Sequence, residues 1–421
     1  MSVGKFDAAI VGGGPAGTSA AYFLAKKGYQ VILLERGKTL GSKNVYGGRI
    51  YSKIIKDLFP DFEKDAPIHR WVNRELFSIV QGGDSVTLSY NSKDSKSFTA
   101  NLTEFCSWLG KKAEEVGANV FTEAKVTALS RDGEKVNGIY VGEEKVDADV
   151  VVIAEGANRL LSEKSGLAPT PPLSSLALGI KESIRLGKEN IENRLSLQEG
   201  EGVSWMFLGD FTEGIPDGGF LYTFRDYLSL GVVVSLGEAV SGIKEQAYLF
   251  LEKLRNHPML ANILRGGETI EYSAHLTIVE PTRYMPKKLS GNGYAIVGDS
   301  AGLLGNLGYT FRGVDFAVFS GYALAESFEK IRNGDWESYE EFLKSSWVYK
   351  EILRFSRAHD LMKEKRMLES YPLLLNKIMK SIFDLEGPAP KLMEAVLDNI
   401  KKSNLSPLLL LRDMIKAARD L

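Results

Sequence analysis

Three glycines near the start of the chain have the spacing of a phosphate-binding turn. Gly12, Gly14 and Gly17 follow the apolar run 8–11 in G-x-G-x-x-G register. In such a turn the first glycine permits the tight bend, the second lets a diphosphate approach the backbone, and the third allows a helix to pack closely on a strand. Free N–H groups at the start of that helix attract phosphate. The spacing therefore predicts a dinucleotide site.

The residues after the turn complete a strand–turn–helix–strand unit. Pro15 suits the first turn of a helix, where its missing N–H costs little, and Ala16 to Lys27 predicts a helix rich in small residues. The apolar run 31–34 predicts a second strand, which ends at Glu35. A carboxylate at that point can accept hydrogen bonds from ribose hydroxyls. The neighbouring Arg36 could lie over an adenine or reach a phosphate.

A second segment, far along the chain, narrows the choice of dinucleotide. Residues 294–297 predict a strand that ends in Gly298 and Asp299. An Asp in this place can accept hydrogen bonds from the ribityl hydroxyls of a flavin, and a glycine-rich run follows it before the next predicted helix. Backbone contacts to the flavin ring are then expected from Gly302, Leu307 and Gly308. The two segments together predict FAD as the cofactor.

Composition excludes several other kinds of chemistry. The chain has 421 residues and a net charge of −2, which gives no argument for nucleic-acid binding. Its one cysteine, Cys106, allows no internal disulfide and no Cys₄ iron–sulfur cluster within the chain. Four scattered histidines show no metal-ligand spacing. We therefore expect no metal, no catalytic side chain beyond the flavin itself, and a cytoplasmic, reducing location. No apolar run is long enough to predict a membrane span, and because the first predicted strand follows directly on the N-terminus we expect no secretory signal.

The order of the predicted elements indicates an α/β fold: an FAD-binding, Rossmann-like domain with an inserted, mainly antiparallel substrate sheet and a helical C-terminal region. Runs 120–129 and 135–141 predict a hairpin with Asp132 and Gly133 in its turn. The predicted boundaries are 1–75, 100–165 and 276–335 for the FAD domain, 76–99 and 166–275 for the substrate sheet, and 336–421 for the helical region.

Five segments, spread over nearly the whole chain, carry a resemblance to a known family. They are GGGPAG (12–17), SKNVYGGRIY (42–51), GGFLYTFRDYLSLGVVV (218–234), YSAHL (272–276), and VGDSAG with NLGYTFRGVD (297–315). The chain resembles the FixC group of electron-transfer flavoprotein–quinone oxidoreductases. This group lies within the wider geranylgeranyl-reductase and hydroxybenzoate-hydroxylase type of flavoprotein, and the resemblance implies the fold of that type.

The resemblance also implies a function and partners. Electrons would pass from a reduced electron-transfer flavoprotein, through FAD, to a quinone, within a multi-subunit complex of the FixABCX kind, in which the donor can bifurcate electrons. Since the lone cysteine leaves no room for a cluster in this chain, the resemblance implies a separate ferredoxin-like iron–sulfur subunit.

Further site residues follow from the resemblance rather than from spacing. The segment with Lys43, Asn44, Gly47 and Gly48 would pass near the flavin ring, and Val126 would contact adenine through its backbone. Three residues in family-like segments would line the quinone cavity or tune the flavin: Tyr222, Tyr309 and Arg312.

The chain departs from the family pattern in two places. The helix that holds Cys106 is preceded by Leu102, near the place where relatives often have an arginine, so a basic contact to the cofactor is in doubt there. Cys106 itself stands where relatives have an aspartate. The run TIVEPTRY (277–284) also differs from the family, so the quinone-side loop is expected to differ.

Two C-terminal segments, 371–383 and 406–421, place leucines on one side of a helix with Lys and Arg among them, as in helices that lie on a membrane surface. Packing on a core or on a partner subunit is the alternative. Other functions stay open as well: a prenyl-lipid (geranylgeranyl-type) reductase, a flavin monooxygenase using NADPH, or a flavin-bearing assembly subunit. The reductases tend to have a cysteine in the segment that reads KNVYGG here.

Overall fold

The computed structural model describes residues 5–42, 48–216, 218–237 and 246–421. Its strands are β1 Phe6–Val11, β2 Val31–Leu34, β3 Arg49–Tyr51, β4 Arg70–Gln81, β5 Asp84–Asn91, β6 Ser97–Thr99, β7 Asn119–Phe121, β8 Val126–Asp132, β9 Lys135–Val141, β10 Glu144–Ile153, β11 Leu176–Arg185, β12 Glu201–Gly209, β13 Gly219–Thr223, β14 Tyr227–Ser235, β15 Glu268–Ile278, β16 Ser290–Gly291, β17 Tyr294–Ile296, β18 Gly305–Asn306 and β19 Phe311–Arg312. Its α-helices are α1 Pro15–Lys26, α2 Ser52–Leu58, α3 Phe62–Asp65, α4 Leu102–Glu115, α5 Leu160–Lys164, α6 Lys188–Leu195, α7 Tyr248–Asn256, α8 Pro258–Leu264, α9 Val314–Arg332, α10 Glu337–Ser345, α11 Trp347–Arg354, α12 Ala358–Met362, α13 Tyr371–Phe383, α14 Leu392–Lys402 and α15 Pro407–Asp420.

The first sheet is parallel at its centre, in the order β17-β10-β1-β2-β7. The paired segments of its middle strands, residues 8–11, 31–34 and 150–153, are apolar and buried, as expected of strands covered on both faces. Helix α9 lies close against α1, because Gly321 has no side chain to separate the two backbones: a Cβ there would lie 2.6 Å from the Ala16 carbonyl oxygen. This sheet brings the two glycine-containing turns, after β1 and after β17, to the same edge.

The predicted strand over 120–129 is wrong as a single element. Residues 119–121 form β7, which pairs in parallel with β2, and only from Val126 onward does the chain form the predicted hairpin with β9. Between them Glu123 adopts a left-handed conformation, with φ 56°, and the Ala124 N–H donates to the Glu35 carbonyl. This turn breaks the strand and returns the chain to the edge where β1 and β2 end.

The second sheet is mainly antiparallel, in the order β15-β11-β14-β13-β12-β4-β6-β3, with β5 paired to β4 and with β12 and β4 parallel. One of its faces packs on α7 and α8 through buried residues such as Leu254 and Val232. The opposite face turns toward the first sheet. The domain boundaries themselves remain a prediction.

Helices α10 to α15 form the C-terminal region, together with a π-helical turn over Arg366–Ser370. The predicted α/β fold with an inserted, mainly antiparallel sheet and a helical C-terminal region is confirmed. Within the described ranges, no helix combines the length and apolar character that crossing a bilayer requires.

Candidate functional site

A cavity of about 780 Å³ lies between the two sheets, a volume within the usual range for ligand sites. One end is formed by the turns after β1, β2 and β7. The other end is formed by the open face of the second sheet and by helix α12. The first end is rich in polar and charged groups, and the second is mostly apolar.

The turn after β1 leaves no room for side chains. Gly12 has φ +109°, and a Cβ there would lie 2.4 Å from the carbonyl oxygen of Ala154 on the neighbouring strand. A Cβ on Gly17 would lie 1.9 Å from the Gly12 carbonyl oxygen, so Gly17 serves packing and does not line the cavity. Gly14, Pro15 and Ala16 line the cavity at the N-terminus of α1. The start of the helix thus offers unpaired N–H groups to a phosphate.

Glu35 is fixed in place by the backbone around it. Its two carboxylate oxygens accept hydrogen bonds from the N–H groups of Gly13 (2.7 Å) and Gly37 (2.6 Å). The side chain still lines the cavity, next to the exposed Arg36. Val126 lines the same end, so the structure brings together the residues predicted for the adenosine half of the cofactor.

Asp299 lies in the short 3-10 turn Gly298–Ala301 that follows β17, and its carboxyl group lines the cavity. Burial raises its pKa to about 6, although the positive charge of Arg159 opposes the shift. No described residue donates a hydrogen bond to this carboxylate, so its acceptor capacity is available to a ligand in the cavity. A ligand with hydroxyl groups would satisfy it.

Arg159 supports this turn from behind and was missed in the sequence. It adopts a left-handed conformation (φ 49°) and is fully buried. Its guanidinium group donates to the carbonyls of Tyr284 and of Asp299, the latter at 3.3 Å. Burial lowers its pKa to about 10, so it stays charged at neutral pH. The only signal for it was its place shortly after the end of β10 at Ile153.

The predicted ring-contact residues lie in different surroundings. Gly308 lines the cavity, whereas Gly302 and Leu307 do not. The Leu307 N–H donates to the Thr310 carbonyl and the Gly308 N–H to the Asn306 side chain, at 2.9 and 3.0 Å. These two N–H groups therefore stabilise the hairpin itself and already have acceptors, whether or not they also contact the flavin ring.

Part of the third predicted segment cannot be placed. Lys43, Asn44 and Gly47 lie outside the described residues. Gly48 follows them and packs against the Tyr222 ring, where a Cβ would lie 2.9 Å from Cδ2.

Four cationic residues line the cavity: Arg36, Arg49, Lys125 and Lys164. Leu102, near the place where relatives often have an arginine, lines the cavity as an apolar residue. The charge of the four cations favours a dianionic diphosphate. Only Arg36 was predicted, because the others come from elements that meet only in the folded chain.

The second sheet adds further lining residues that sequence reasoning missed. His275 and Thr277 stand on the same face of β15, two residues apart, and both line the cavity. Burial and the nearby Arg36 charge lower the pKa of His275, which favours a neutral imidazole. The family resemblance suggested three residues for the quinone cavity or for tuning the flavin; of these, Tyr222 and Tyr309 line this cavity and Arg312 does not.

The far end of the cavity is apolar and is completed by the C-terminal region. The second sheet contributes Phe77, Met206, Phe220 and Val233, and the C-terminal region contributes Met362, Met367 and Leu421. The Leu421 side chain reaches Gly308: a Cβ on that glycine would lie 2.3 Å from Leu421 Cδ2.

Comparisons with known proteins place the chain among flavoproteins. Residues 6–184 match the model of the pyridine nucleotide-disulphide oxidoreductase family, and residues 358–421 match that of the ETF-QO/FixC family C-terminal domain. The chain is 35% identical to the probable electron transfer flavoprotein-quinone oxidoreductase YdiS of Escherichia coli (strain K12), over 100% of both chains. It is 36% identical to Protein FixC of Salmonella typhi, over 96% of both.

Solved structures support the fold. A geranylgeranyl bacteriochlorophyll reductase-like protein from Thermoplasma acidophilum superposes with a TM-score of 0.72, covering 98% of this chain and 99% of that one at 18% identity. A flavoprotein/dehydrogenase from Cytophaga hutchinsonii gives 0.64 at 17% identity, covering 99% and 98%. At such identities the likeness extends to the fold alone.

Proposed function

The chain belongs to the ETF-QO/FixC family, and we propose from this that it passes electrons from a reduced electron-transfer flavoprotein, through FAD, to a quinone. FAD is the cofactor, and the chain is an FAD-dependent oxidoreductase. The observation that carries the proposal is the two-part cavity, in which a charged dinucleotide end continues into an apolar end beside the C-terminal region.

The charged end fits FAD in several independent ways. The crowded Gly12 turn and the N-terminus of α1 would hold the diphosphate, and the fixed Glu35 would accept from the adenosine ribose. The Asp299 carboxylate, which lacks a donor among the described residues, would accept from the ribityl hydroxyls. When bound, the flavin ring supplies the redox chemistry.

The chain's own residues would position the reactants and exclude water. Arg159 fixes the backbone of the Asp299 turn by donating to its carbonyl. Burial raises the pKa of the Tyr222 phenol, which therefore keeps its proton at neutral pH. Apolar side chains such as Phe220 and Met206 would contact the quinone ring and exclude solvent from it. Electrons can then cross a short distance in a dry site.

Two protein partners follow from the proposal. A single cysteine cannot hold a Cys₄ cluster, so an iron–sulfur centre would sit on a separate ferredoxin-like subunit. The electron-transfer flavoprotein subunits would complete a complex of the FixABCX kind. We place this complex in the cytoplasm, at the inner face of the cell membrane.

Helix α15 supports the membrane contact because it buries charged side chains and exposes apolar ones, the reverse of an ordinary surface helix. Its charged Asp413 is buried against Arg366 and Tyr371, at 2.8 and 2.6 Å, while Leu408, at 79% exposure, points outward. Further exposed apolar side chains are Leu411, Met414 and Ile415 on α15 itself, and Phe383, Leu392, Met393 and Leu397 on α13 and α14. Between 371 and 421 the sequence has eight Lys or Arg and six acidic residues, of which Asp413 and Asp420 are buried. The outward surface is thus apolar and basic, as an anionic bilayer favours.

An assay of the two half-reactions tests the proposal. Purified chain is mixed anaerobically with reduced electron-transfer flavoprotein and the ferredoxin-like subunit, and then with a short-chain quinone. We expect the flavin absorbance to bleach in the first step and to return in the second. Failure of both steps contradicts the proposal. Rapid bleaching by NADPH alone would instead favour a monooxygenase, and saturation of a prenyl lipid would favour the reductase.

A further inference from the structure

The ring of Tyr51 lies between two arginines, Arg49 and Arg312, which come from two of the segments that carry the family resemblance, 42–51 and 297–315. The guanidinium carbons of Arg49 and Arg312 each lie 4.6 Å from the centroid of the Tyr51 ring. Tyr51 and Arg49 belong to β3, which follows the segment around Gly48. Arg312 ends the hairpin β18–β19 that carries Gly308. Cations at this distance are attracted to the face of an aromatic ring.

Arg312 is held rigidly on its other sides. It donates to the buried Asp315 at 2.9 and 2.7 Å and to Glu351 of α11 at 2.8 Å. Its guanidinium also lies 4.6 Å from the Phe316 ring and 5.1 Å from the Trp347 ring. These contacts join the end of the hairpin to α9 and α11. Lysine could not reproduce them, since it lacks the planar fork.

Arg49 connects the same stack to the second sheet. It pairs with Glu75 of β4, donates to Ser97 of β6 at 3.1 Å, and donates to Ser204 of β12 at 3.3 Å. It also lines the cavity. A continuous series of contacts thus runs from the second sheet, through Tyr51, to the hairpin that carries Gly308 at the cavity.

We propose that Arg49, Tyr51 and Arg312 form a clamp that sets the distance between the second sheet and the hairpin β18–β19, and thereby positions the hairpin against the flavin ring. Tyr51 and Arg312 are positioning residues, because neither lines the cavity. The inference rests on the proposed location of the ring between these two elements. In this clamp the arginines contact the face of the Tyr51 ring, and the Tyr51 hydroxyl group is not required.

The test compares variants that keep or remove the ring face. Tyr51→Phe keeps the face and Tyr51→Leu removes it, while Arg312→Lys keeps the charge and removes the fork. Arg354→Lys is the matched control, since Arg354 is exposed and lies 5.9 Å from the ring of its neighbour Phe355. The readouts are the Kd for FAD of the apo-protein, the visible circular dichroism of bound flavin, and the flavin reduction potential.

We expect Tyr51→Leu and Arg312→Lys to raise the Kd for FAD roughly tenfold, the size of a desolvated cation–ring contact. Both should also change the dichroism and lower the reduction potential, because the hairpin dipoles move away from the charge that reduction adds. Tyr51→Phe and Arg354→Lys should stay within about twofold of the wild type. An equal loss of FAD affinity in Tyr51→Phe and Tyr51→Leu would overturn the clamp. Unchanged readouts in all variants would overturn it as well.

A further variant keeps the test valid if the buried positions do not tolerate change. Trp347 is 42% exposed and its ring lies 5.1 Å from the Arg312 guanidinium carbon, so Trp347→Leu weakens the clamp without removing a charged group or its partner. We expect a smaller change of the same sign in all three readouts, and unchanged readouts in a folded Trp347→Leu protein would contradict the clamp. Wild-type protein that binds no FAD would refute the proposed function itself, which separates the two failures.

Discussion

Ionisation of Asp299 should make FAD affinity depend on pH. Burial raises the pKa of this carboxyl group to about 6, so the apo-protein keeps it protonated in mildly acidic solution. In the proposed binding mode, ribityl hydroxyls would donate to the ionised carboxylate and favour that form in the complex. Binding therefore releases a proton below about pH 6, and FAD affinity rises as the pH increases through this value.

The size of the effect follows from the ionised fraction of the apo-protein. With a pKa of about 6, roughly a tenth of the Asp299 carboxyl groups are ionised near pH 5 and roughly nine tenths near pH 7. If the complex holds the carboxylate ionised throughout this range, affinity follows that fraction. The Kd should then fall about tenfold between the two pH values, which is about 1.4 kcal/mol.

Titration of the apo-protein with FAD, followed by flavin fluorescence at several pH values, measures this directly. Asp299→Asn is the control, because it has nearly the same size and does not titrate. His275 also lines the cavity and is present in both proteins, so its titration cancels in the comparison. Parallel pH profiles for wild type and Asp299→Asn would refute the reasoning, as would a wild-type affinity that falls with rising pH.

Three other changes have distinct expected outcomes. Gly12→Ala should abolish bound flavin, which the flavin-to-protein absorbance ratio measures. Gly28 also has a left-handed backbone (φ +90°) but open space around it, so Gly28→Ala should retain the flavin and lower Tm by about 2–4 °C. Leu408→Glu should reduce co-sedimentation with anionic vesicles at low salt, while Leu88→Glu, at a comparably exposed leucine of β5, should not. Equal vesicle binding by the two variants would contradict the membrane contact. Leu421→Ala should raise the KM for a short-chain quinone up to about tenfold without changing the Kd for FAD, and an unchanged KM would remove Leu421 from the quinone end.

The residues proposed for the adenosine half of the site could be identified in the sequence because they are close together along the chain. The spacing of Gly12, Gly14 and Gly17 determines a turn, and Glu35 follows at the end of the next strand. Each depends only on local geometry between adjacent parallel strands. Asp299 could be predicted for the same reason, since it directly ends a strand of the same sheet.

The rest of the site depends on contacts between distant elements. Arg49, His275 and Leu421 reach the cavity from β3, β15 and the C-terminal region, and no local pattern indicates that these elements meet. The support of Asp299 by Arg159 likewise requires the left-handed backbone of a buried arginine. The strand break at Glu123 was missed because a left-handed glutamate carries no sequence signal comparable to a glycine.

Single-turnover reoxidation of the flavin tests the central claim most directly. Chain reduced by electron-transfer flavoprotein is mixed in a stopped-flow instrument either with a short-chain quinone or with buffer, both without oxygen. The proposed function predicts that flavin absorbance returns with the quinone, at a rate that increases with quinone concentration, and stays bleached with buffer. A flavin that electron-transfer flavoprotein reduces but that no quinone reoxidises would contradict it.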